Sequence, residues 1–139
     1  MAYRMQFEPI VAAAPQLLQG ALNTLSLSAQ SIALGVTIGL VAAVVRVERP
    51  RWPNRLVGVY VEAFRNTPLL VQLFLIYFGL PLVGLKLSAN GAAVFAISLN
   101  LGAYATEIIR AGLLAIPKTQ VEAGLALGMS RFEVVRYIV

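Results

Sequence analysis

Apolar runs alternate with short arginine-rich clusters along this chain, and the alternation predicts helices that cross a lipid bilayer. From Pro9 to Val45 no charged residue occurs. Ala21 to Val45 alone exceeds the roughly 20 helical residues that hydrocarbon requires. Asn66 to Leu85 is charge-free again, and Asn90 to Ala115 is interrupted only by Glu107 and Arg110. The reading is all-α, with spans at about 21–45, 66–85 and 90–115. Phe132 opens a further apolar stretch, VVRYIV, which reads as the start of a fourth span.

One polar, amphipathic island breaks the pattern, at 119–138 (TQVEAGLALGMSRFEVVRYI). Thr119 with Glu122, and Ser130 with Glu133, each have capping-box spacing. Gly128 stands where a helix begun at Gln120 needs a left-handed residue to stop. A helix, glycine, helix unit is expected, its first helix rich in small residues that allow close approach.

Composition agrees with a bilayer protein. Hydrophobic residues are 59% and charged residues 12% of the chain, against about half and a quarter in soluble domains. Mean hydropathy is +0.80. The net charge of +5 follows from the positive-inside rule and needs no nucleic acid. Arg46, Arg49, Arg51, Arg55, Arg110, Lys118, Arg131 and Arg136 fall at one side and Arg4 and Lys86 at the other, eight against two. That places the N-terminus outside, with MAYRMQFEPI as a short tail before an uncleaved first span. Trp52 suits the interface.

Within the runs a few residues stand out. Gly35 and Gly39 form a GxxxG pair, read as an ordinary bundle contact. Glu62 and Arg65, and Glu107 and Arg110, are each three apart, so each pair can meet on one helix face. Ionisable groups at such depth either tie the bundle together or mark a pathway or gate. The structural reading is preferred for Glu107 and Arg110, and both stay open for Glu62 and Arg65. Pro68, after Thr67, strips a helix hydrogen bond and is expected to kink or restart the helix. Gln72, one turn inside, is expected to face protein or water, and Thr67, Pro68 and Gln72 join Glu62, Arg65, Glu107 and Arg110 as the pathway or gate candidates.

The absences narrow the chemistry. Cysteine and histidine are both missing, which removes disulfides, thiol catalysis and the commonest metal and acid–base ligands. There is no GxxxxGK[ST] loop and no paired-carboxylate or Ser-His-Asp set. No catalytic residue, metal site or cofactor is expected.

Glu122-Ala123-Gly124, three residues, Gly128, nine residues, Ile138 resembles the EAA loop of the permease subunits of ATP-binding-cassette importers, with Gly124 in place of the second Ala. YVEAFRNTPLLVQLFLIYFGLP (60–81) and GAYATEIIRAGLLAIPKTQVEAGLALGMSR (102–131) are similar to permeases of the polar amino acid type. The resemblance implies a bacterial inner-membrane, multi-pass protein of about five spans. This chain would be its N-terminal portion, since the closing LP of the motif and two spans are not present. It further implies that the cytoplasmic segment 117–131 is a coupling helix, on which Glu122, Ala123, Gly124 and Gly128 receive a separate ATPase subunit. The implied partners are that ATPase, a second permease subunit, an extracytoplasmic amino-acid-binding protein and the bilayer. Without the resemblance, a non-transporting membrane fragment or scaffold is the alternative.

Overall fold

The computed structural model describes residues 12–48 and 51–138. The expected outer tail and Arg49 of the first basic cluster lie outside them. Among the described residues six α-helices follow in order: α1 (Ala14–Glu48), α2 (Arg51–Arg65), α3 (Leu69–Phe74), α4 (Ala89–Ala115), α5 (Lys118–Ala126) and α6 (Arg131–Tyr137). Helices α1 and α4 are long and apolar enough to cross a membrane, and α2 with the segment after it forms a bent pair that could make a third crossing.

The two long helices pack along their length through small residues. Ala42, Ala43, Ala92, Ala96 and Ala103 are buried, together with Ser31, Ser98 and Thr106. Leu17, Leu18, Leu22 and Leu25 point outward. This is the reverse of a soluble core, because lipid tails solvate leucine as well as protein does and the gain comes from close backbone approach. Both glycines of the pair sit where the approach is close, and Gly39 where it is tightest. A Cβ added at Gly35 would lie 2.9 Å from the Leu101 side chain, and one at Gly39 would lie 2.5 Å from the Ala105 Cβ. The GxxxG pair thus serves a contact inside this chain. Two hydroxyls along the spans bond within their own helix, Thr37 donating to Ala33 O at 2.7 Å and Thr106 to Gly102 O at 2.7 Å. Ser98 instead donates across the seam to Ser31 O at 3.4 Å, and the buried Ser31 hydroxyl has no partner among the described residues.

The run 66–85, expected as one helix, is subdivided. Helix α3 passes into a π-helical turn at Leu75–Gly79 and a 3-10 turn at Leu80–Val83, which Gly84 ends at φ 87°. Before it, the chain bends by 106° between Arg65 and Leu69. Pro68 is the cause: it has no amide to donate to α2, and at ψ 137° it starts a new helix on a different axis. Helix α4 opens on Ser88, whose hydroxyl accepts from Gly91 N at 3.1 Å, and closes at Ile116, extended before Pro117.

Candidate functional site

The last helical bond of α2 runs from Asn66 N to Glu62 O at 3.0 Å, and the break beyond it leaves the carbonyls of Ala63, Phe64 and Arg65 without helical donors, a costly position in an apolar medium. Each finds a side-chain donor. The Thr67 hydroxyl donates to Ala63 O at 2.8 Å. Phe64 O accepts from Gln72 Nε2 at 2.7 Å and from Asn100 Nδ2 at 3.3 Å. Arg65 O receives the Tyr104 hydroxyl at the outer limit of 3.5 Å. Gln72 Nε2 also reaches Thr67 O at 2.8 Å, and its Oε1 accepts from Asn100 Nδ2 at 3.1 Å. Gln72 is buried, as expected of a polar side chain facing protein. The break is therefore a fixed feature, held from α3 by Gln72 and from α4 by Asn100 and Tyr104. Tyr60 adds a further tie, donating to Leu99 O at 2.6 Å.

Glu62 and Arg65 do not pair, contrary to the spacing argument; neither enters an ion pair among the described residues. Both are exposed, and Arg65, as the last residue of α2, turns its guanidinium over the Tyr104 ring at 5.5 Å from the centroid. Glu107 and Arg110 do pair. Arg110 Nη2 lies 2.7 Å and Nε 3.2 Å from Glu107 Oε2. Arg46 of α1 reaches the other carboxylate oxygen at 3.7 Å and passes Gly58 of α2, where a Cβ would come within 3.0 Å of its guanidinium. One carboxylate thus joins α1 to α4 at the arginine-bearing end, while α2 packs alongside.

The island at 119–138 folds as helix, glycine, helix. Gly128 takes φ 84°, Gly128 N donates to Leu125 O at 3.0 Å and Met129 N to Gly124 O at 3.1 Å, the paired bonds of a Schellman stop. A Cβ on Gly124 would collide with Ile138, so the glycine lets α6 close over α5. The Thr119–Glu122 capping box is absent. Helix α5 starts at Lys118, two residues earlier than expected, with Pro117 in the N-cap position, so Thr119 is already helical and its hydroxyl cannot cap. Gln120 N instead donates to Pro117 O at 3.0 Å. Glu122 and Ala123 are exposed, and Glu122 borders a groove of about 390 Å³ that also includes Val47, Leu114 and Lys118.

The second capping box is complete: Glu133 N donates to the Ser130 hydroxyl at 3.3 Å, and Glu133 Oε2 accepts from Ser130 N at 2.8 Å. The Ser130 backbone amide, and then its hydroxyl, hold the Glu133 carboxyl below the usual carboxylate range. A depressed folded pKa means that the capping contribution is present above the unfolded value and is lost as pH falls through the folded one. We expect Ser130→Ala to move the titration of the Glu133 carboxyl ¹³C signal to higher pH. A titration unchanged by the substitution would refute the cap.

Asn100, Tyr104 and Arg46 escape a reading of the sequence alone. Asn100 had a signal in its place, an amide near the middle of an apolar run, where polar groups rarely face lipid. Arg46 has less of one, because the first charge after a span is usually only a headgroup contact. Among the described residues no cluster of acidic groups could hold a metal ion.

Residues 35–139 match the family described as binding-protein-dependent transport system inner membrane component. The chain is similar to the glutamine transport system permease protein GlnP of Escherichia coli (strain K12), at 42% identity over 97% of this chain and 64% of that protein. It is also similar to the L-cystine transport system permease protein TcyB of Bacillus subtilis (strain 168), at 44% identity over 84% of this chain and 50% of the relative. The chain thus spans less than two thirds of the length of these relatives. A solved structure titled as an amino acid ABC transporter with histidines superposes on 99% of the chain with a TM-score of 0.85 and 36% identity, and 64% of that structure's chain is covered.

Proposed function

Because the chain belongs to the family of binding-protein-dependent transport system inner membrane components, we propose that it is membrane-spanning machinery of an importer for polar amino acids, driven by a separate ATPase subunit. The observation that carries this reading is the α5–α6 unit. It is a compact body, stopped by Gly128 and capped by Ser130, that offers exposed Glu122 and Ala123 beside the ends of α1 and α4. A partner pressing on α5 moves a rigid piece whose nearest connection, Ile116–Pro117, leads straight into α4. The ATPase is proposed to dock at Glu122, Ala123 and Gly128, with Gly124, buried against Ile138, acting by seating α6 on α5 rather than by touching the partner. A second permease chain and an extracytoplasmic binding protein complete the importer, with the arginine-bearing end in the cytoplasm and the N-terminus outside.

The residues within the spans divide by what they touch. Thr67, Pro68 and Gln72 fix the break and set its angle. Arg65 and Glu62 are unpaired on the exposed face beside it, and there they are proposed to line the pathway. Glu107 and Arg110, with Arg46, are proposed as a clasp between helices. Relatives named for glutamine and for cystine support a polar amino acid as substrate over a non-transporting scaffold.

In the complete importer, Glu122→Lys is expected to lower co-purification of the ATPase about 30-fold, since losing an interface charge against a basic group costs about 2 kcal/mol or more. Uptake of radiolabelled glutamine and cystine should fall with it while membrane insertion is unchanged. Normal uptake in the variant sinks the docking assignment, and wild-type vesicles that accumulate neither amino acid sink the substrate class.

A further inference from the structure

Helix α2 presents a face that nothing among the described residues covers. Trp52, Leu56 and Val59 are 80%, 67% and 63% exposed. Their spacing of four and then three residues, continued by Ala63, sets them in one narrow stripe. Arg55 is exposed along the flank of that stripe, and Glu62 lies on the same flank nearly two turns further towards the break. The opposite face is spent on protein: Val61 is buried, Tyr60 bonds to Leu99 O, and Gly58 lies against Arg46. The exposed face therefore has no role in holding the bundle.

We propose that this face is a binding site for anionic phospholipid, with the indole of Trp52 at headgroup level, Leu56 and Val59 against the acyl chains, and the guanidinium of Arg55 on the lipid phosphate. Two observations favour lipid over another helix. The stripe combines a large amphipathic ring with a charge at one end, which suits a polar–apolar boundary, whereas a span-to-span contact calls for small residues such as those at the α1–α4 seam. The basic residue stands at the arginine-bearing end, where Arg46 and Arg110 share the single carboxylate of Glu107 and leave an excess of positive charge for acidic headgroups.

Trp52 is the chain's one tryptophan and reports the contact directly. The assembled importer would be placed in phosphatidylcholine vesicles that contain a small, fixed fraction of either brominated phosphatidylglycerol or brominated phosphatidylcholine. The signal is the fluorescence of wild type minus that of Trp52→Phe. One arginine near an acidic lipid surface enriches that lipid about fivefold, so quenching by the glycerol lipid should exceed quenching by the choline lipid by about two- to fivefold. Arg55→Gln keeps the indole and should remove the excess. Equal quenching by the two lipids in wild type overturns the proposal by removing the headgroup preference. Absence of quenching by either shows the face covered by another span or subunit and overturns it entirely. The readout is independent of substrate, so it holds or fails apart from the transport reading.

Discussion

Gly39→Leu should prevent the folded bundle from accumulating in the membrane. At this position even a Cβ would lie 2.5 Å from the Ala105 Cβ, 3.2 Å from the Ala105 carbonyl carbon and 3.2 Å from Gly102 O. Two of the three obstacles are backbone, so no rotamer change on α4 makes room. The helices must separate, and separation forfeits the dispersion contacts that hold small residues together in lipid, where no hydrophobic driving force replaces them. Overpacking usually costs about 1–3 kcal/mol, and a clash with backbone in the principal seam belongs at or above the top of that range. The control is Gly20→Leu on the same helix, where nothing lies within 4 Å and little should change. The amount of folded protein extracted from membranes expressing each variant would measure both, and a Gly39→Leu variant that accumulates as well as Gly20→Leu would refute the seam.

The seam was open to a reader of the sequence because it is written in local terms. Charge-free runs define the spans, and glycines four apart mark where one helix admits another. The break was half open to such a reader. Pro68 announces that a helix bond is missing, but which side chain supplies the substitute is decided by α4, whose Asn100 lies 32 residues beyond Pro68 in the chain. Spacing arguments failed where a competing partner was invisible. Arg65 can reach Glu62 along the helix, yet the Tyr104 ring from α4 takes its guanidinium. Thr119 has the residue types of a cap, yet Pro117 begins the helix before it, because a fixed φ suits the start of a helix as well as a hydroxyl does. Ser130 succeeds where Thr119 fails since the Gly128 stop ends α5 just ahead of it, leaving Ser130 extended and free to cap. The family resemblance located the α5–α6 unit at once, but it does not explain why this chain has Gly124. The collision of a Cβ with Ile138 does.

Gln72→Leu should carry the second large effect, because it withdraws donors from a place where lipid offers none. Leucine is of similar bulk, so the cavity term is small and the loss is polar. Thr67 O loses its side-chain donor at 2.8 Å, Phe64 O keeps only the longer bond from Asn100 at 3.3 Å, and the Asn100 amide loses its acceptor at 3.1 Å. An unsatisfied buried group costs about 1–3 kcal/mol. Membrane hydrogen bonds measured by double-mutant cycles average only about 0.6 kcal/mol, because the unfolded chain in lipid also finds partners. Three bonds at the membrane value give about 2 kcal/mol and three groups at the lower bound for an unsatisfied group about 3, so the expected loss is about 2–3 kcal/mol. Gln72→Asn should lose nearly as much, since the shorter side chain cannot span from Phe64 O to Thr67 O. The decisive comparison is a cycle with Asn100→Leu. Groups in one network couple by about 0.5 kcal/mol or more, so the double variant should be less destabilised than the sum of the singles. Strict additivity would mean that Gln72 and Asn100 act separately, and that the 106° bend is held by Pro68 alone. Uptake by the complete importer distinguishes the consequences: a bend held by Gln72 and Asn100 loses transport in both single variants, whereas one held by proline retains it in each.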